Sequence, residues 1–379
     1  GSIVSGDKVY MQAGQDINLC GSHVVGQEAA TLVAEGNVNL LAGQDTASAT
    51  SHKQVKKSGV FGGGGLGITI GSSSTTTDRS NESTRAAASS VQAQGGEKGE
   101  GKQGNVTIVA GGHYQQTGSA VLAAGDVNIV AKTTTVDEAR EIEKEKFEMR
   151  AKQSGLTVSI SSPVVGAVQT ATNLGTAVGR SSDSRTQALG LAAGGLYAYN
   201  NLGKDANGND TALTSDINNI TDGKLPSSIG INVGLGRSQS HATSQSEQNT
   251  AAGSVVHADG NVNITATQGD IQVRGSDINA RQDLSLKAEH GNIALDAAQN
   301  TYSSESSHSS SSSSINVGVN VGGGSTGFTV GASHSQGSGQ GSGSGTSYSN
   351  TSVQAGGTVN LQSSGDTTLR GATVEGETV

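Results

Sequence analysis

Between His257 and Asn300 one short pattern recurs four times: Gly260-Asn261-Val262-Asn263-Ile264, Gly269-Asp270-Ile271-Gln272-Val273, Gln282-Asp283-Leu284-Ser285-Leu286 and Gly291-Asn292-Ile293-Ala294-Leu295. Each copy reads as a turn followed by a strand. Asn or Asp tolerates the left-handed conformation that ends a turn, and the apolar residues at i and i+2 then share one face of an extended segment. Alternate copies are in phase, since 22 positions separate both Asn261 from Asp283 and Asp270 from Asn292. The spacing predicts a coil of two strands and about 22 residues. One inward pair per strand is too little core for a coil to fold alone. Such coils are stable only when stacked with their backbones paired about 4.8 Å apart, as in a parallel β-solenoid.

The pattern is present elsewhere. It occurs at Gly14-Gln15-Asp16-Ile17-Asn18-Leu19 and Gly36-Asn37-Val38-Asn39-Leu40, at Gly104-Asn105-Val106-Thr107-Ile108 and Gly125-Asp126-Val127-Asn128-Ile129, and at Gly357-Thr358-Val359-Asn360-Leu361. Composition agrees with a stacked aliphatic core: aromatic residues are 2%, Trp is absent and Pro occurs twice. A formal charge of −9 and few aromatic rings argue against phosphate-backbone or base-stacking partners, so no nucleic-acid role is expected. Cys20, the single cysteine, excludes an intrachain disulfide and is expected to be a small buried or half-buried side chain. No secretory leader is recognisable, the longest apolar-leaning run is too short for a spanning helix, and the repeat is expected to continue beyond Val379.

Three stretches leave the period and return to it. The chain therefore divides into coils at 1–45, 100–132, 254–300 and 356–379, with projecting insertions at 46–99, 133–253 and 301–355. Roughly seven coils, about 34 Å of tube, remain for the solenoid. The first insertion carries Val60, Phe61, Leu66, Ile68 and Ile70 around a glycine run, and the third carries Ile315, Val317, Val319, Val321, Phe328 and Val330. Both read as β-hairpins with apolar residues at every second position. In the second, Leu156, Val158 and Ile160 face Ile231, Val233 and Leu235 as the two sides of a similar hairpin. Ala-rich segments at 164–178 and 187–202 favour short helices, and the charged stretch 136–152 favours a strand as a leg parallel to the others. The alternating face has two readings: it packs on the solenoid wall or a neighbouring hairpin, or it meets lipid or a partner sheet.

Signals for chemistry are weak. Gly62, Gly64 and Gly67 match a dinucleotide fingerprint as a string but lack the helix that must follow. The Gly-Asn and Gly-Asp turns lack the tandem pattern of calcium nonapeptides, and the eight histidines show no metal-ligand spacing. No Gly-x-Ser-x-Gly lies between a strand and a helix. Asp270, Asp277 and Asp283 are the remaining candidates for an acidic cluster of a carbohydrate-cleaving β-helix. No catalytic, cofactor or metal residue is assigned, and the chain is expected to be non-enzymatic.

Coils such as Ala34-Glu35-Gly36-Asn37-Val38-Asn39-Leu40-Leu41-Ala42-Gly43-Gln44-Asp45, interrupted by Ser-rich legs around a Gly-rich hairpin, resemble the haemagglutinin repeats of filamentous haemagglutinin-like exoproteins. They are most similar to the second repeat region of contact-dependent growth inhibition effectors, which are exported by two-partner secretion. The resemblance implies an all-β, right-handed parallel β-helix of about 20–22 residues per coil with projecting β-hairpins, forming a monomeric filament secreted to the surface of a Gram-negative cell. It further implies as partners an outer-membrane secretion transporter, a C-terminal toxin in cis, and the outer membrane or a surface receptor of a target cell. A filamentous adhesin that binds surface ligands without translocation is the alternative.

Overall fold

The structure, a computed structural model, describes residues 1–63, 67–96, 103–161, 202, 204, 207–222, 229–322 and 325–379. The coils stack into a parallel β-helix whose walls are one sheet of 13 strands and one of 7. The larger sheet covers two faces, because the long strand His23–Ala34 pairs through its first half with Ser90–Ala93 and through its second with Asn105–Ala110. The remaining face begins at Ile17–Cys20 and Val38–Leu41.

From the third coil onward each turn contains three strands, not the two that the turn spacing predicts. The additional strands are Ser90–Ala93, Ala120–Ala123, Val255–Ala258, Asp277–Ala280 and Thr351–Ala355. They escape the pattern because no Gly-Asn or Gly-Asp precedes them, and because one of their two inward positions holds only Ala. A buried hydroxyl marks their start instead. Ser119 Oγ accepts from the Ser89 amide, Ser254 Oγ from the Ser119 amide and Ser276 Oγ from the Ser254 amide, at 3.3, 3.2 and 3.1 Å.

Stacking aligns like with like. Leu32, Ile108, Ile129, Ile264, Leu286 and Leu361 form one continuous column, and the first five of these side chains are fully buried. At the corners the Asn and Asp side chains form a ladder. Oδ1 of Asn105, Asp126, Asn261 and Asp283 accepts the backbone amide of Asp126, Asn261, Asp283 and Thr358 in turn, at 2.8, 2.7, 3.1 and 2.8 Å. Each acceptor satisfies an amide of the next coil, so the residue that makes the turn also fixes the stacking register. The step from Asp126 to Asn261 crosses 135 residues, so the long insertion between them re-enters in register.

One stretch of core is polar. Tyr114 donates to Gln116 Oε1 at 2.9 Å, and Gln116 Nε2 donates to the carbonyls of Ser119 and Val255 at 2.8 and 3.0 Å. Above Tyr114 sits Thr134, whose buried hydroxyl has no partner. Cys20 departs from the expectation of burial: it is exposed, because Ile17 and Leu19 take the inward positions of its strand and alternation turns the fourth residue outward.

The insertions leave from one corner. Their strands are Gly43–Gly63 with Gly67–Ala87, Ala139–Ser161 with Ile229–Ala252, and Ala298–Gly322 with Ser325–Ser349. They depart after the second, fourth and sixth coils. Two coils rise about 9.6 Å, which is the width of two paired strands. Three hairpins therefore tile without a gap into one antiparallel sheet of six strands. Of the charged stretch 136–152 expected as a strand, 139–152 is one, within Ala139–Ser161, while Val136 and Asp137 end the coil strand Thr133–Asp137 and Glu138 separates the two. A short helix, Ala212–Thr221, lies where the sequence pattern predicts none, and the Ala-rich segments at 164–178 and 187–202 lie, apart from Leu202, outside the described residues.

Candidate functional site

The distal end of the six-stranded sheet collects nearly all the apolar positions singled out above. Antiparallel register places Val60, Ile70, Leu156, Leu235, Ile315 and Ala332 in one row across all six strands. The next row holds Ile68, Val158, Val233, Val317 and Val330, and the one beyond holds Ile160, Ile231, Val319 and Phe328. Val321 extends the patch, paired with Ile229. These side chains share one face because each row lies two residues from the last. They are not packed on the solenoid: exposure runs from 38% at Val158 to 79% at Phe328, with Val319 and Ile229 half-buried among them. Phe61 falls on the opposite face, half-buried and paired with Thr69, and Leu66 lies outside the described residues.

Apart from Phe61, the reverse face of the same rows is built from small or polar residues: Thr69, Thr157, Gly234, Asn316 and Gly331 in one row, Gly67, Ser159, Asn232, Gly318 and Thr329 in the next. Thr69 and Thr157 share a hydroxyl hydrogen bond of 2.8 Å. At the proximal border Gly59, Gly71, Gly155 and Gly236 align. A Cβ on Gly71 would stand 2.1 Å from the carbonyl oxygen of Ser154, so only glycine permits this approach.

Charge is sorted along the apolar face. Below the apolar rows come Arg237 with His334, then Lys56 with Lys152, then Arg150 with His241, and these three rows contain no carboxylate. Carboxylates begin one row further in, with Asp78 and Glu148, where His52 meets Asp78 and His241 meets Glu148 at 2.5 and 2.7 Å. Hydrogen bonds from His241 and Arg150 hold the Glu148 carboxyl below the usual range.

The root of the sheet is clamped to the coils. Glu138, with 1% of its side chain exposed, binds Arg140 of the middle hairpin through Oε1 and Arg274 Nε of the solenoid at 2.9 Å through Oε2. Arg140 also donates to the Gln299 carbonyl of the third hairpin. Burial pushes the neighbouring Asp137 carboxyl up, opposed by Arg274.

The other candidates are dispersed. Asp270 and Asp283 serve the corner ladders, accepting the amides of Asn292 and Thr358, while Asp277 sits on a different face in the strand Asp277–Ala280. Gly62 and Gly67 belong to the two legs of a hairpin. Among the described residues no group of three His, Cys, Asp or Glu side chains can hold a metal ion, and no helix is long and apolar enough to cross a membrane.

Comparison with known proteins agrees with this architecture. The family model described as "Hemagglutinin repeat" matches residues 1–98 and 235–379. The chain is 36% identical over 385 residues to the 16S rRNA endonuclease CdiA of Enterobacter cloacae, covering all of this chain and 11% of that protein. It is 34% identical over 391 residues to the tRNA nuclease CdiA of Escherichia coli and 34% over 382 residues to the deoxyribonuclease CdiA of Dickeya dadantii, each time covering all of this chain and 11% of the relative. The chain thus spans about a tenth of the length of these relatives. No solved structure matches. The chain belongs to the hemagglutinin repeat family, as the repeat region of a contact-dependent growth inhibition exoprotein.

Proposed function

We propose that this region is a non-catalytic stalk and delivery module: the β-helix serves as a strut, and the six-stranded sheet contacts the outer membrane of a target cell during toxin delivery. The observation that carries the reading is the exposed apolar ladder at the end of the sheet. Alternation of large apolar residues on one face with Gly, Ser, Thr and Asn on the other is the pattern of a β-sheet that faces lipid on one side and water on the other. From Leu235 to Ile229 the apolar stretch runs roughly 20 Å along the strand, which at a 45° tilt reaches about one leaflet deep. The relatives bear three different nuclease names while sharing this region, which suits a carrier whose cargo is exchanged. In this reading the toxin lies in cis, an outer-membrane transporter exports the chain, and the module is displayed on the cell surface as a monomeric filament.

The test is protease protection of the purified chain mixed with outer-membrane vesicles. The reading predicts protection of 60–71, 156–161, 229–235 and 315–332, with the Ser-rich legs still cleaved. Equal cleavage with and without vesicles refutes it. Binding to vesicles with the ladder still cleaved favours an adhesin that holds a surface ligand by its polar legs.

A further inference from the structure

We propose that the carboxylate-free band beneath the apolar ladder is a binding site for the phosphate of net-anionic membrane lipids, one not offset by a headgroup cation, so that the sheet recognises an anionic phosphorylated amphiphile instead of a zwitterionic or merely apolar surface. The inference rests on the membrane-contact reading and names the chemistry of the partner.

Two adjoining grooves support it. One, of about 690 Å³, is lined by Lys56, Lys152 and Arg237 together with serines that include Ser74, Ser154 and Ser313. The other, of about 530 Å³, is lined by Leu235, Ile315 and Ala332 and shares Ser154, Arg237, Ser313 and His334 with the first. A cationic, hydroxyl-rich compartment thus opens directly into an apolar one, in the order of a lipid headgroup and its acyl chain. Lys56 and Lys152 stand two strands apart in one row, and Arg237 one row further out beside Lys152. Strand spacing puts the Lys152 backbone roughly 8–10 Å from each of the other two, and Lys56 about 16 Å from Arg237, so a phosphate seated at Lys152 is within reach of long flexible side chains from both sides. All three side chains are exposed, and no carboxylate among the described residues pairs with them. This contrasts with Arg150, held by Glu148, and Lys144, held by Glu247. The net charge of −9 makes the site specific to this band, because the chain as a whole is repelled by an anionic surface.

The test is co-sedimentation of the full chain with phosphatidylcholine vesicles, with and without phosphatidylglycerol or bis-phosphorylated lipid A. The proteins are the wild type, the triple variant Lys56→Gln/Lys152→Gln/Arg237→Gln and the control Lys144→Gln/Lys146→Gln, each first shown to unfold at an unchanged temperature. At about 1 kcal/mol for each cation at an anionic surface, the triple variant is expected to bind anionic vesicles about 100-fold more weakly, with the control near wild type and neutral-vesicle binding equal for all three. Wild-type affinity in the triple variant overturns the phosphate site while leaving membrane contact standing. An equal loss in the control reduces the effect to net charge and also overturns it. Displacement by millimolar inorganic phosphate alone replaces the lipid with a free anion. Absence of wild-type binding to every vesicle refutes both this inference and the reading beneath it.

Discussion

The Glu138→Gln substitution tests how the projecting sheet is held on the solenoid. Glu138 receives Arg140 on one oxygen and Arg274 on the other, and its side chain is 1% exposed. The amide keeps the shape but turns one acceptor into a donor that faces a guanidinium. Two charge-assisted hydrogen bonds are worth about 1.5–3 kcal/mol each. The full sum is not lost. Arg140 and Arg274 remain 37% and 49% exposed and can rehydrate, and the buried carboxylate's own desolvation cost disappears with it. The net effect expected at the root is about 1–3 kcal/mol, or roughly a 5- to 150-fold loss of protection against amide hydrogen exchange where exchange proceeds by local opening. The loss should centre on 139–142, 249–252 and 298–301, with the corner ladders of the coils unchanged. The matched substitution Glu143→Gln, in an outward row of the same leg, should alter exchange at none of these amides. Unchanged protection at the root in Glu138→Gln would show that backbone pairing between hairpins, and not the ionic clamp, fixes the sheet.

Thr134→Val replaces a buried hydroxyl that has no partner with an isosteric methyl, so it should stabilise the chain by about 1–2 kcal/mol, read as a higher urea midpoint with unchanged slope. Burial pushes the Tyr114 hydroxyl far above its ordinary pKa near 10, so the unfolded state ionises first as pH rises. Its contribution to stability is thus complete below pH 10 and falls above it by about 1.4 kcal/mol per pH unit, a slope that Tyr114→Phe should remove from the alkaline stability profile. Gly71→Ala puts a methyl against the Ser154 carbonyl and should raise hydrogen exchange at the distal ends of the first two hairpins while leaving the coils protected.

The solenoid is legible in the sequence wherever one residue performs two tasks. Asn261 or Asp283 both makes a corner and caps the next coil, so its spacing exposes the period. The third strand of each coil is hidden because Val256 with Ala258, or Ile278 with Ala280, is a weak apolar signal, and its buried serine looks like any other in a Ser-rich chain. Alternation in the hairpins locates the apolar ladder but not its setting. Pairing of Ile70 with Leu156, or of Leu235 with Ile315, depends on strands from different insertions meeting, which follows from the rise of two coils and not from local pattern. Phe61 shows the limit of hydrophobicity alone: it is one residue out of phase with Val60 and lands on the small-residue face. The basic band is invisible in one dimension, since Lys56, Lys152 and Arg237 come together only through that register.

The most direct test of the central claim places an environment-sensitive fluorophore at Val317→Cys or at its neighbour Asn316→Cys, each in a Cys20→Ser background. The two positions lie on opposite faces of the same strand. With outer-membrane vesicles, a blue shift at residue 317 and little change at 316 is the predicted result. No shift at 317, or equal shifts at both, would contradict a sheet that meets the membrane by its apolar face.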